Sequence, residues 1–481
     1  MALPHFPLCV DGLKDKGSSI TVSSPFDGKP IATVTDADES VIEHALAAAY
    51  QTFLNQDEWL PLTRRIEILT KVETLMKDQV RELALGAAEE GGKPFMDSLV
   101  EANRAVDGIR LCIDTLRTES GHVIPMGATT GSMHRIAFTQ KEPIGVVVAV
   151  SAFNHPLNLI VHQVATAVAA GCPVIVKPAS STPLSCFRLV KLFYEAGLPM
   201  AWCQALAISN NERATRLVVD PRVAFFSFIG SAKVGWALRS KLAPGTRCAL
   251  EHGGVAPVIV AEDADLSLAV PSLVKGGFYH AGQVCVSVQR IFAHESIAET
   301  LAKEIAARAS KLVIGDPTSE KTEVGPLIQH SEVVRVDEWV KEAMKEGAQR
   351  LCGGDPISSS CYPCTVLYNV PQHVKLSTAE VFGPVVCVYP YKEIDEAIAL
   401  ANGLPFAFQG AVFTKTLDTA LRVYHRLRAS TVMVNDHTAF RVDGMPFAGL
   451  NHSGLGIGGI PYTIHDFQIE KMMVIQSKEI S

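Results

Sequence analysis

The chain is expected to fold as an α/β protein: two doubly wound parallel sheets and a small additional β element. Three features of the 481-residue sequence carry that expectation. Short β-branched runs such as Ile144 to Val150 lack polar alternation, as strands buried on both faces do. Stretches of helical periodicity separate such runs by roughly 10–15 residues, the spacing of parallel strands joined by right-handed crossovers. The same alternation begins again after the Gly253-Gly254 pair, which implies a second sheet.

Taken in order, residues 39 to 120 read as helical, with apolar spacing at Val41, Ile42, Ala45, Leu46 and Ala49, then at Ile66, Leu69, Val72, Leu75 and Met76. Gly91-Gly92-Lys93-Pro94 punctuates this region. From 121 to 141 the text turns β-like and polar, and Pro143 resets it. Strands are then expected near 144–150, 173–177, 204–208, 223–228 and 247–250, alternating with helices near 156–170, 183–196, 211–219 and 231–240. Gly171 supplies a helix stop. The second unit offers strands near 258–261 and 289–293 with helices near 266–279 and 296–311. A glycine-rich tail from Met445 ends in a strand-like run, Lys471 to Ile475, which is expected to pair with the 121–142 insertion in a small sheet shared between subunits.

Composition narrows the classes. Apolar residues at 48% and charged residues at 19% describe an ordinary globular protein. A net charge of −7 without a long basic run argues against nucleic acid or an anionic membrane as partner. Met1 to Pro7 lacks the basic-then-apolar order of a secretion signal, and the Leu157 to Ala170 run is broken by His162 and Gln163, so a soluble cytoplasmic protein is expected. Eleven scattered cysteines suit a reducing compartment. Cys361 and Cys364 have metal-like spacing but no second pair, so no metal is expected.

The chemistry-bearing motifs are modest one by one. Gly282-Gln283-Val284-Cys285 puts a thiol on a loop after a helix, as a nucleophile needs; a buried structural thiol is the alternative. Glu251, before His252-Gly253-Gly254, reads as a general base whose pKa burial would raise, or as a surface glutamate. Asn154, in Phe153-Asn154-His155-Pro156, reads as an oxyanion donor or a loop-stabilising amide. Lys177 ends a strand, and Gly230-Ser231 opens a helix whose free N–H groups suit an anion. No complete Gly-x-Gly-x-x-Gly accompanies them.

Their joint order is more specific. Phe153-Asn154-His155-Pro156, Lys177-Pro178-Ala179-Ser180, Phe228-Ile229-Gly230-Ser231, Glu251-His252-Gly253-Gly254, Gly282-Gln283-Val284-Cys285, Glu380-Val381-Phe382-Gly383-Pro384 and Met445-Pro446-Phe447-Ala448-Gly449 together resemble the NAD(P)-dependent aldehyde dehydrogenase superfamily, over nearly the whole chain. The resemblance implies Cys285 as nucleophile, Asn154 with the Cys285 backbone N–H as oxyanion hole, and Glu251 as the base that activates water against a thioester. It also implies a dinucleotide held by Ser151, Phe153, Lys177, Ser180, Gly230, Ser231, Glu380 and Phe382. Lys177 and Ser180 would meet the adenosine ribose, Gly230 and Ser231 the pyrophosphate, Glu380 and Phe382 the nicotinamide ribose and ring.

Members preferring NAD often carry glutamate where Ser180 stands, so NADP is expected to be tolerated and the cofactor is NAD or NADP. Residues 1–120 and 142–252 would form the dinucleotide-binding domain, 253–446 the catalytic domain, and 121–141 with 447–481 an oligomerisation element of a homodimer or homotetramer. Arg104, Arg441 and His155 lie where such enzymes line the substrate tunnel. They suit an anionic aldehyde, such as a semialdehyde or a phosphorylated or phosphonate-bearing one, unless both arginines pair with structural carboxylates, Asp443 among them. The rival readings are a coenzyme A-acylating relative, which commonly lacks the hydrolytic glutamate, a catalytically silent binding protein, and a cofactor-free cysteine hydrolase using His280 or His252.

Overall fold

The computed structural model describes residues 3–15 and 17–480 and contains both expected sheets. In the first, strands run in the order Gly454–Leu455, Arg247–Glu251, Val223–Ile229, Val146–Val150, Val174–Lys177 and Cys203–Ala205. All neighbours are parallel except the antiparallel edge at Gly454–Leu455. Val146, Val147, Val148 and Ala149 have no exposed surface because helices cover both faces, which is why the run shows no polar alternation. The chain lays down Val146–Val150 first, builds outward on one side, then returns to build on the other. The reversal falls between Val146–Val150 and Val223–Ile229, and the crevice at such a reversal is where doubly wound sheets bind ligands.

The second sheet runs Gln349–Cys352, Thr365–Tyr368, Val385–Tyr391, Val288–His294, Ala256–Val260, Gln409–Phe413 and Thr431–Val434, antiparallel only at Gln349–Cys352. A third sheet pairs Gln468–Gln476 antiparallel with Arg135–Pro143 along its whole length, with Val123–Ile124 beyond. The insertion and the final strand therefore meet as expected, and Gln468–Gln476 is an open edge that leaves Met472, Met473, Val474 and Ile475 exposed. The tail is more divided than its assignment to one oligomerisation element implied. Gly454–Leu455 joins the first sheet, and Ile460, Ile464 and Phe467 bury themselves in the core that contains Val147 and Val176. Apolar residues three or four apart give the short helix Ile460–Asp466 a face that only that core can cover. An N-terminal sheet of His5–Phe6, Ser19–Ser23 and Pro30–Thr35 had no clear sequence signal. Among the described residues no helix is long and apolar enough to cross a membrane.

The expected 156–170 helix is Asn158–Ile160, a π turn at Val161–Ala165, and Thr166–Ala170, closed by left-handed Gly171. The extra residue of a π turn widens the helix locally and is frequent at functional sites. Here it buries the adjacent polar side chains His162 and Gln163 together. The start of this helix is anchored by Glu101, whose Oε1 accepts from the backbone N–H of Leu157 (2.9 Å) and Asn158 (3.0 Å) while its Oε2 pairs with buried Lys93. Removing one partner of a buried ion pair leaves the other charge uncompensated. Glu101→Ala is therefore expected to lower unfolding free energy by about 3–5 kcal/mol, read by denaturant melts, with Glu101→Leu plus Lys93→Met recovering only part of the loss because the Leu157 and Asn158 N–H groups stay unpaired.

Candidate active site

The two sheets meet the site differently. The first offers the carboxyl ends of its strands: Val150 runs into Ser151 to Asn154, and Ile229 into Gly230-Ser231. The second offers loops that precede strands, Cys285 before Val288–His294 and Glu380 to Phe382 before Val385–Tyr391. Glu251 ends the last parallel strand of the first sheet, and the chain crosses to the second directly after it. These segments line one cavity of about 760 Å³.

The nucleophile loop is held in a strained shape. His280, Ala281 and Gly282 have φ of 49°, 54° and 72°, three successive left-handed residues, and such conformations cost about 1–3 kcal/mol at each non-glycine. At Gly282 a side chain is excluded because its Cβ would collide with the Gly383 carbonyl. Gln283 fixes the turn from every side. Its N–H donates to His280 O (3.1 Å), its Nε2 to Pro326 O (3.2 Å), and its Oε1 accepts from Ile328 N (2.9 Å). Its carbonyl accepts from Asn154 Nδ2 at 3.0 Å, so the buried Asn154 amide is aimed by the same loop and keeps its second N–H available.

Cys285 Sγ donates toward Glu251 Oε1 at 3.9 Å. Burial pushes the thiol well above its ordinary pKa and the nearby Glu251 charge adds to this, while Arg441 opposes it. Burial likewise raises the Glu251 carboxyl, against the pull of Arg441 and of the thiol hydrogen bond. The resting pair is thus a thiol facing a carboxyl group whose proton affinity suits a general base.

On one side of this pair lie the residues that resemblance assigned to the dinucleotide. Ser151 Oγ and Glu380 Oε1 are buried with no hydrogen-bond partner, and such groups carry a desolvation cost unless a ligand or water meets them. Burial raises the Glu380 pKa to about 8. A Cβ on Gly253 would strike the Glu380 carboxylate, so the glycine after His252 is what admits it. Phe382, at φ 43°, meets Phe153 edge to face with ring centroids 5.8 Å apart. Gly230 and Ser231 are on the cavity wall, and the Ser231 hydroxyl caps nothing. The wall reaches Ala179 and Ser181, with exposed Ser180 between them. Among the described residues Lys177 bonds only to Pro178 O (3.2 Å) and pairs with no carboxylate.

On the other side the expected pair of arginines separates. Arg104 is gripped by Asp443 through two bonds, Nε to Oδ2 at 3.0 Å and Nη2 to Oδ1 at 2.7 Å, the structural alternative foreseen for it. Asp443 also accepts from Asn158 Nδ2 (3.0 Å) and is 2.7 Å from His162 Nε2, and these partners hold its carboxyl well below the usual range. Arg441 instead lays its guanidinium 3.6 Å from the Phe447 ring centroid, and its Nε is buried without a partner. His155 borders the cavity beside Tyr279, and burial with Lys93 and Arg104 nearby keeps it neutral. Phe447 sat in a motif without an assigned role. The positions of His162 and Asn158 gave no sign of their hold on Asp443, because a π turn leaves no periodicity of its own.

Residues 13–473 match the model of the Aldehyde dehydrogenase family. The 3-sulfolactaldehyde dehydrogenase of Priestia megaterium is 36% identical over 454 residues, covering 94% of each chain. Aspartate-semialdehyde dehydrogenase 1 of Pseudomonas canavaninivorans is 34% identical, covering 95% of this chain and 96% of its own. Among solved structures, aldehyde dehydrogenase 21 from Physcomitrella patens, in complex with the reaction product succinate, has a TM-score of 0.95 at 31% identity over 100% of both chains. Glyceraldehyde-3-phosphate dehydrogenase GapN from Methanocaldococcus jannaschii, complexed with NADP, has a TM-score of 0.92 at 33% identity over 96% of this chain and 100% of its own. The chain belongs to the aldehyde dehydrogenase family and is an NAD(P)-dependent enzyme that oxidises an aldehyde to its acid.

Proposed function

We propose that the preferred substrate is a short aldehyde bearing a negative charge at its far end, oxidised through a thiohemiacetal and a thioester on Cys285. The observation that carries this is Arg441, a buried cation beside Cys285 that forms no salt bridge among the described residues, next to an Arg104 that Asp443 already neutralises. Relatives named for a sulfonated aldehyde and for an amino-acid semialdehyde, and a similar structure holding a dicarboxylate, support the same charge class.

In this reading Cys285, its thiol proton taken by Glu251 and passed on to solvent, adds its sulfur to the aldehyde carbon, and the free Asn154 amide N–H and the Cys285 backbone N–H hold the oxyanion. The oxidised nicotinamide, when bound, accepts the hydride. The unpartnered Ser151 hydroxyl and Glu380 carboxylate fit its ribose side, Phe153 and Phe382 flank the ring position, and Lys177, Ser180, Gly230 and Ser231 fit the adenosine and pyrophosphate end. Glu251 then takes a proton from water. Its place 3.9 Å from the nucleophile favours hydrolysis over transfer to coenzyme A. The apolar open edge at Gln468–Gln476 supports a homo-oligomer, and the unpaired cysteines support a cytoplasmic setting.

Glu251→Gln is expected to release one equivalent of reduced cofactor per site in a burst and then turn over about 10²–10⁴-fold more slowly, measured by stopped-flow absorbance. Because Glu251 acts only when deprotonated, its raised pKa sets an acid limb through which kcat rises with pH. Arg441→Met removes the cation that opposes the rise, so the limb moves to higher pH in kcat profiles taken with a neutral aldehyde. With an anionic aldehyde Arg441→Met is expected to lower kcat/KM by about 10–100-fold, against a few-fold for a neutral one; equal losses would remove the charge-recognition reading. NADP is expected to support kcat/KM within about 100-fold of NAD in steady-state assays, and a thousand-fold preference for NAD would overturn that expectation.

A further inference from the structure

Gly91-Gly92-Lys93-Pro94, which punctuates the helical N-terminal region, runs beneath several of the loops that build the site. Lys93 pairs with Glu101, which anchors Leu157 and Asn158. The Gly92 carbonyl lies where a Cβ on Gly325 would strike it, and the neighbouring Pro326 carbonyl accepts from Gln283 Nε2 at 3.2 Å. A Cβ built on Gly91 would stand 3.4 Å from Thr182 Cγ2 and 3.7 Å from Phe153 O. The residue before them, Glu90, has no part in the chemistry described above, yet it is a carboxylate without exposed surface.

Glu90 lies in the last turn of the helix Val80–Gly91. Its Oε2 accepts from the Leu184 N–H (2.7 Å), and its Oε1 from the Ser185 N–H (2.7 Å) and the Ser185 hydroxyl. Leu184 and Ser185 open the helix Leu184–Glu195, and the first N–H groups of a helix need acceptors from outside it. Pro183 holds the cap position and has no side-chain oxygen to offer, so a carboxylate from another helix serves instead. The positive end of the helix suits that anion. Burial raises the Glu90 pKa to about 7, against the pull of the Ser185 hydroxyl, of Arg188 and of the two N–H groups.

The same helix start closes a turn on the cavity wall. The Thr182 N–H donates to Ala179 O at 3.2 Å, which puts Ser180 and Ser181 at the corner, and Ala179 and Ser181 line the main cavity. Upstream the turn leaves the strand Val174–Lys177, fixed by the bond from Ser151 N to Lys177 O (3.1 Å). Downstream it is fixed by the Glu90 clasp. We propose that Glu90 is a positioning residue for the dinucleotide: it holds the start of the helix Leu184–Glu195 and so sets the Ala179–Thr182 turn against which the adenosine end rests. The inference rests on the reading of that wall as the adenosine site. A turn held at both ends is ordered before the ligand arrives, so binding bears no cost of ordering it. Glu90 itself stays out of the cavity lining.

Glu90→Gln keeps the shape of the side chain but turns one acceptor of the clasp into an amide donor. Calorimetric titration of the full chain with NAD and with NADP, without aldehyde, reads the effect apart from turnover. Both dissociation constants are expected to rise about ten-fold or more, while kcat at saturating cofactor and the aldehyde KM stay within about three-fold of the parent. Ser185→Ala removes only the hydroxyl bond; a smaller rise in both constants is expected, and its direction decides the matter if Glu90→Gln does not fold. Leu192→Ala opens a cavity in the buried far part of the same helix, lowering stability without touching the clasp, and both constants are expected to stay within about two-fold. Unchanged dissociation constants in Glu90→Gln, or an equal rise in Leu192→Ala, overturn the positioning role while leaving aldehyde oxidation standing. A parent protein that binds neither dinucleotide would instead remove the adenosine reading, and the inference with it.

Discussion

A hydrogen bond ties the two halves of the site together: Asn154 Nδ2, from the loop after the first sheet's central strand, donates to Gln283 O, from the loop before a strand of the second. Gln283 is in turn locked by its own backbone and both ends of its amide, so the bond fixes one loop against the other rather than tethering a mobile one. The consequence is geometric. Carboxyl ends of one parallel sheet face the amino ends of strands in the next, and the Asn154 amide is aimed by the loop that carries Cys285. The left-handed run at His280, Ala281 and Gly282 is tolerated because this network over-determines it, as strained backbone at a functional site requires.

Charge placement follows from the same confinement. Burying Cys285, Glu251 and Glu380 together raises all three pKa values, since each would otherwise be an anion in a poorly solvated space beside other anions. Arg441 is the counterweight to two of them, and burial weakens its own hold on its proton. Stacking on Phe447 rather than forming an ion pair with Asp443 keeps it in that position. Asp443 is fully engaged elsewhere, by Arg104, Asn158 and His162. A difference of two residues in sequence, Arg441 against Asp443, thus separates a charge that acts on the cavity from one that is spent on structure.

Much of this was legible in the chain. The buried strands declared themselves by continuous β-branched runs, and the loops with Asn154, Glu251 and Cys285 by the order of their motifs. What was not legible depended on contacts between distant segments. Arg104 and Arg441 looked equivalent, and only the fold decides which meets Asp443. The tail after Met445 read as one glycine-rich unit, yet Gly454–Leu455 closes an edge of the first sheet while Gln468–Gln476 pairs with the insertion. His162 and Gln163 looked like interruptions of an apolar helix, polar residues where the periodicity wanted none.

Those two interruptions lie within the π turn. In a helix neighbouring residues point about 100° apart, so two adjacent polar side chains meet different partners. The widened turn at Val161–Ala165 buries both: His162 beside Asp443, which holds Arg104, and Gln163 beside Ser227. Straightening the turn would remove one residue's worth of helix and carry the two side chains round together, so neither contact could be kept by adjusting a rotamer alone. The anchor at Glu101 sets where this helix begins, and with it the distance from Asn154 to the turn. One local departure from helical regularity therefore carries two buried polar contacts at once, to Asp443 and to Ser227.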